Sequence, residues 1–151
     1  MSSPSEAAKA IIRPAEPSDA IQVAELSGEL GYPATESQIE PRLREVQGRP
    51  DRAIFVAELG SGQLAGMVDV FVSRAITKDQ FVEVAALVVR EDMRASGIGR
   101  LLMNCTEDWA RGQGCDEVRL RSNVMREGAH RFYERRGYEH YKTQKAFRKA
   151  I

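Results

Sequence analysis

The chain has little of what most directly betrays a function. Its 151 residues include two cysteines, two histidines, one tryptophan and six prolines. Cys105 and Cys115 are too few and too isolated for a disulfide framework, and no Cys or His partner stands at zinc-ligand spacing. No metal centre is expected, and a reducing cytoplasm is the expected compartment. Excess charge is also missing. Lys and Arg number 22 against 22 Asp and Glu, which removes the main electrostatic argument for a nucleic-acid or membrane-surface protein. No apolar stretch is long enough for a membrane span, and Met1–Glu6 lacks the charged start and apolar core of a secretion signal. Internal repeats, low-complexity blocks and interdomain linkers are absent, so the length suits one domain over 10–151 behind a flexible segment 1–9.

What remains is a regular alternation of elements. Ile11-Ile12-Arg13 reads as a short strand, and Pro17-Ser18-Asp19 as a helix start with Ile21, Val23, Ala24 and Leu26 behind it. A second helix begins at Thr35 or Ser37 with a capping-box pattern and carries Ile39, Leu43 and Val46. The apolar runs 53–59, 64–72 and 81–89 suggest an antiparallel meander, its first turn made by Gly60-Ser61-Gly62-Gln63. A helix follows from Gly99 to about Arg111, with Leu102, Cys105, Thr106 and Trp109 expected on its inner face. A strand at 118–121, a helix at 126–136 and a last strand or pair between Tyr138 and Arg148 complete the order.

The junction between the third run and its helix is the richest segment. Leu87, Val88 and Val89 end the strand, and Arg94-Ala95-Ser96-Gly97-Ile98-Gly99-Arg100 opens the helix. The first amides of a helix lack intrahelical acceptors and sit at the positive end of its dipole, so a phosphate is a natural partner. Gly97 and Gly99 let backbone approach such a group, and Arg94 and Arg100 flank them with charge. Glycine here is equally open to a plain turn role. The three-glycine dinucleotide fingerprint and the Gly-Lys-Ser/Thr of a P-loop are both unmet.

Together with the later Ala129-His130-Arg131-Phe132-Tyr133-Glu134-Arg135-Arg136-Gly137-Tyr138, this junction resembles the GNAT superfamily of N-acetyltransferases, whose two motifs come in this order and spacing. The resemblance implies an α/β (α+β) fold: a mixed, mostly antiparallel sheet of six to seven strands flanked by about four helices. It also implies acetyl-CoA as cosubstrate and transfer of its acetyl group to a primary amine by direct attack in a ternary complex. Leu87, Val88 and Val89 would pair with the pantetheine arm like an added strand, and 94–100 would hold the pyrophosphate. Asn123 matches a polar position that contacts the cofactor arm, with helix capping as the alternative. The acceptor would be a small amine or a peptide N-terminus. The fold often dimerises, and the apolar, basic C-terminal strand offers a surface for a homodimer. A CoA-binding module without turnover is the competing reading.

Acetyl transfer needs a neutral amine, a donor to the developing oxyanion and a proton for the departing thiolate. Tyr133 occupies the tyrosine position of the family's Phe-Tyr-Glu motif and is the candidate acid, the alternative being an aromatic that only packs its helix. Glu83 is the only ionisable residue in 81–89 and the candidate base; period two puts it on a face with Ala85, Leu87 and Val89. Many family members carry a carboxylate a couple of residues further on, where this chain has Ala85. Asp69, the only charge in 64–72, is expected roughly opposite Glu83, where two facing carboxylates would raise at least one pKa. Tyr32 would stand at the mouth of the acceptor site or pack as a surface tyrosine. His130 lacks triad partners in sequence. Glu25, Glu29, Glu36, Glu40 and Glu45 lean towards a cationic acceptor, or simply solvate their helices.

Overall fold

The computed structural model describes residues 9–151. The expected flexible segment 1–9 therefore lies outside the described residues except for Lys9. The chain divides into two compact units, one ending at Leu120 and one running from Arg121 to Ile151.

The first unit holds a five-stranded sheet of β1 (Ile11–Pro14), β2 (Arg52–Glu58), β3 (Leu64–Ala75), β4 (Lys78–Val89) and β5 (Val118–Leu120), in that spatial order. The first four strands pair antiparallel, and β5 pairs parallel with β4 after the helical crossover. Helices α1 (Ala20–Glu29) and α2 (Glu36–Gln47) follow β1, and α3 (Ile98–Gly112) follows β4. The capping box that starts α2 is built at Thr35: its hydroxyl accepts from the Gln38 amide at 3.3 Å, and the Gln38 side chain accepts from the Thr35 amide at 3.0 Å.

Each sheet face has its own helical cover. Ala20, Val23 and Leu26 of α1 and Ile39 and Leu43 of α2 cluster with Val56, Met67 and Val88 on one face. Ile98, Leu102, Met103, Thr106 and Ala110 form the buried stripe of α3. This corrects the expected inner face: Leu102 and Thr106 are buried as expected, but Cys105 and Trp109 are only half-buried. The i, i+4 row from Ile98 through Ala110 carries the burial, and the buried Thr106 hydroxyl is satisfied by donating to the Leu102 carbonyl at 3.0 Å.

Gly66 sets how closely α3 and β4 approach β3. A Cβ there would lie 2.7 Å from the Val88 carbonyl oxygen and 3.2–3.3 Å from side-chain carbons of Leu102 and Ile98. Backbone cannot yield as a flexible side chain can. Gly66→Ala is therefore expected to cost roughly 1–3 kcal/mol by overpacking, visible as a fall of roughly 3–10 °C in Tm. Gly128→Ala, where the nearest atom is the end of the Arg131 side chain at 3.8 Å, is the control and should be neutral or slightly stabilising. Equal effects in both variants would refute the close-packing account.

The second unit contains α4 (Glu127–Arg135) and no strand among its described residues. The sheet thus has five strands, and the expected strand or pair between Tyr138 and Arg148 is absent. The apolar residues there, Tyr138, Tyr141, Ala146 and Phe147, do not alternate, so no face repeats. Tyr141 and Phe147 are exposed. Local bonding replaces a ladder, with the His140 ring Nε2 and Thr143 Oγ1 2.9 Å apart.

Candidate active site

The decisive local feature is one extra residue in β4. Asp69 pairs with Ala86 and Val70 with Val84, so Ala85 has no partner across the ladder and is exposed in mid-strand. Such a bulge shifts the alternation by one residue. Glu83 consequently shares its face with Ala86 and Val88, not with Leu87 and Val89 as strict period two implied. The register also corrects the expected carboxylate pair. Glu83 stands opposite Phe71, Asp69 stands opposite Ala86, and the Asp69 carboxylate instead accepts from Arg52, with Nη2 3.1 Å and Nε 3.5 Å away. On its other side Glu83 lies in register with Arg119 of β5.

Beyond the bulge, no strand among the described residues pairs with the β5-side edge of β4. Strand β5 pairs only with Val82–Val84. The Arg90 amide donates to the Ala65 carbonyl at 2.7 Å, on the β3 side. Because backbone groups alternate between the two edges of a strand, those of Leu87 and Val89 turn towards the β5-side edge. The Val89 carbonyl there accepts from Arg94 Nε at 3.4 Å. Arg94, expected to flank the glycines with charge towards a phosphate, is here anchored to β4 by this bond.

The turn into α3 has the backbone of an anion cradle. Ala95 (φ 63°) and Gly97 (φ 96°) are both left-handed, and Ser96 between them donates its hydroxyl to the Met93 carbonyl. Left-handed residues in such a turn aim successive amides into one concavity. For Ala95, with its Cβ, the conformation is strained, and strain of this kind gathers at ligand clamps. Gly97 is the N-cap of α3, no side chain caps the helix, and its first turn holds no acidic residue. Ile98 is buried, which fixes the helix start against the sheet, while Arg100 is exposed on the same turn. An uncapped helix start of this kind presents unpaired amides and the positive end of the dipole, which suit an anion.

An open cleft of about 400 Å³ lies on the first unit, lined by Arg49, Asp51, Arg52, Phe71, Val72 and Ala85. It joins the bulge to the start of β2. Of these residues only Ala85 was singled out in the sequence. The available signal was the Arg-Pro-Asp-Arg run 49–52, whose charges stand directly before an apolar strand.

Within the second unit, Tyr133 lies on α4 with its ring edge-on to Phe132 and Tyr138, at centroid distances of 5.2 and 6.0 Å. Burial holds its phenol pKa above the ordinary value, and the nearby Arg126 charge offsets part of that rise. Asn123 is exposed, and its side-chain oxygen accepts from the Met125 amide at 2.9 Å. Its backbone carbonyl accepts from the Arg126 amide at 3.0 Å and lies 2.8 Å from the His130 ring Nε2. Asn123 therefore shapes the turn ahead of α4, while Arg126 is the N-cap. Tyr32 is exposed beside α1, its carbonyl accepting from the Ser27 hydroxyl at 2.5 Å.

Among the described residues no group of three or more His, Cys, Asp and Glu side chains could hold a metal ion, and no helix is long and apolar enough to cross a membrane.

The profile of the Acetyltransferase (GNAT) family matches residues 21–138. The chain belongs to this family. It is 34% identical over 91 residues to the aminoalkylphosphonate N-acetyltransferase of Salmonella typhimurium strain LT2, a match that covers 58% of this chain and 59% of that enzyme. It thus spans about three fifths of that relative. Two solved structures share the fold. Glucosamine-6-phosphate N-acetyltransferase from Arabidopsis thaliana superposes with a TM-score of 0.79 at 23% identity, over 92% of this chain and 97% of that one. The aminoglycoside N-acetyltransferase AAC(6')-Iy in complex with CoA gives 0.82 at 17% identity, over 94% and 95%. The bulged strand and the left-handed turn into α3 thus lie in a chain of the GNAT acetyltransferase family.

Proposed function

We propose that the protein transfers the acetyl group of acetyl-CoA to a primary amine by direct attack within a ternary complex. The observation that carries this reading is the continuity along β4: an extra residue at Ala85, an edge at Leu87–Val89 that no strand among the described residues pairs with, then the uncapped, left-handed turn into α3. The substrate's pantetheine arm adds to that edge through backbone hydrogen bonds, and its pyrophosphate takes the amides of 95–100, with Arg100 supplying charge and Asn123 a polar contact to the arm. The Leu87 amide, turned towards the same edge, donates to the thioester oxygen as charge develops there.

The amine lone pair attacks the thioester carbonyl carbon, and the C–S bond breaks. Glu83 takes the amine proton through water, and Tyr133 gives its proton to the departing sulfur. A thiol of pKa about 8.5 is a tolerable leaving group, so a phenol is acid enough for the task. The acceptor is a small amine or a peptide N-terminus.

The test is thiol release from acetyl-CoA across a panel of polyamines, aminoglycosides, amino acids and short peptides, alongside a thermal shift with CoA alone. Turnover with one class supports the proposal. Stabilisation by CoA with no turnover on any amine would favour a binding module, and no stabilisation at all would remove the cradle from the argument. Gly97→Val separates the cradle from the fold: forcing a β-branched residue to φ 96° costs roughly 1–2 kcal/mol. The expected result is a loss of CoA affinity of tenfold or more, with a Tm fall of only a few degrees. Unchanged affinity would relocate the pyrophosphate.

A further inference from the structure

Two kinds of arginine occur on the sheet. Arg13 is locked between Asp19 and Glu58 at 2.5–2.8 Å. The arginines around the cleft are held more loosely. Arg49 reaches Glu45 at 3.4 Å and Asp51 at 3.7 Å, and Arg74 reaches the same Asp51 at 3.4 Å. Arg52 meets Asp69 at 3.1 Å through Nη2 and at 3.5 Å through Nε. All of these exceed the 2.7–2.9 Å usual for a charge-assisted bond. A guanidinium has five N–H donors, and Arg52 turns only its Nε and Nη2 side towards Asp69.

The strand order places these groups along a line. Arg52 on β2 is in register with Phe71 on β3, which is in register with Glu83 on β4, two residues before the exposed Ala85 of the bulge. With strands about 4.8 Å apart, the backbones of Arg52 and Glu83 are about 10 Å from one another, with Phe71 as an apolar floor between them. The Arg52 side chain reaches Asp69 on β3, the middle strand of the three, which shortens that span. The helix carboxylates that leaned towards a cationic acceptor are partly neutralised: Glu25 pairs with Arg90, Glu40 with Arg44 and Glu45 with Arg49.

We propose that this cleft grips the acceptor by an oxyanion, with Arg52 as the binding residue, so that the acceptor is a short primary amine carrying a phosphonate, phosphate or carboxylate group. The proposal rests on the transferase reading above. The amine end lies at the bulge, where the acetyl group is delivered, and the anionic end takes the free donors of Arg52, with Arg49 beside it. A guanidinium suits such a group because it offers two parallel donors.

The test is calorimetric binding to the CoA-loaded protein, followed by thiol-release kinetics, with four matched probes: 2-aminoethylphosphonate, β-alanine, ethanolamine and spermidine. The two anionic amines should bind at least tenfold more tightly than ethanolamine, and the better of them identifies the oxyanion. Arg52→Gln should collapse that preference and Arg52→Lys should restore part of it. Asp69→Asn, which releases the Nε side of Arg52, should keep or sharpen the preference. A merely structural Arg52–Asp69 pair predicts that the Gln and Asn variants behave alike, and that result overturns the proposal. So does tighter binding of ethanolamine or spermidine. Arg52-dependent binding of an anionic amine without thiol release would uphold the oxyanion site and sink the transferase reading instead.

Discussion

Tyr133→Phe is expected to lower kcat by a factor of about 10² or more, the range that a positioned general acid supplies, while acetyl-CoA still binds. The substitution removes one oxygen and keeps the ring that packs against Phe132 and Tyr138, so a fold defect is not the expected cause. Burial raises the phenol pKa, which keeps the proton in place beyond the ordinary tyrosine value of about 10. The parent's rate should therefore show no alkaline loss from this group below that pH. A second readout isolates the chemistry. If Tyr133 protonates sulfur, an acetyl thioester of a more acidic thiol needs the acid less, and the gap between parent and variant should narrow. A gap that stays constant across donors would assign Tyr133 to packing and leave the thiolate to depart unaided.

The parts of this site that could be read from the sequence are those in which chemistry is written into residue type. Gly97 and Gly99 mark the turn into the helix where the backbone can approach a ligand, and Gly97 takes a φ of 96° there, which few other residues tolerate. Thr35 followed by Gln38 announces a capping box because the two side chains satisfy each other's amides. The bulge is different. Nothing in Val84-Ala85-Ala86 distinguishes a strand with an extra residue from one without, since the extra residue is defined only by its partner strand. Period-two counting therefore put Glu83 on the wrong face relative to Leu87, while a β3–β4 turn centred one residue too early placed Asp69 opposite it. Arg52 was missed for a related reason. An arginine at the edge of an apolar run looks like the solvated end of a strand, and only the pairing of β2 with β3 brings it beside Phe71 and the cleft. The stretch after Tyr138 erred the other way, because a strand or pair was expected there although no alternation supports one.

The second large effect concerns stability and lies away from the chemistry. Arg13 on β1 donates to both carboxylate oxygens of Asp19 at 2.8 Å and to Glu58 on β2 at 2.5 Å. Asp19 also accepts from the Glu16 amide at 2.7 Å and is the N-cap residue of α1. One guanidinium thus ties the edge strand, its neighbour and the start of the first helix together. The Asp19 side chain is only 9% exposed, so removing Arg13 strands a desolvated carboxylate. Breaking a fully buried pair costs about 3–5 kcal/mol, and because the arginine is 27% exposed we expect Arg13→Met to cost about 2–4 kcal/mol, or roughly 5–12 °C in Tm. The pH dependence has a definite sign. Hydrogen bonding to Arg13 holds the Asp19 carboxyl below its ordinary range. Its contribution is therefore complete above the unfolded value of about 3.9 and is lost as the pH falls through the lowered one. Urea denaturation from pH 7 down to pH 3 should show the parent losing stability at the acid end more steeply than Asp19→Asn, which has no proton to take up at that position. Parallel curves for the two proteins would mean that the ion pair contributes nothing net and that the edge strand is held by its ladder alone.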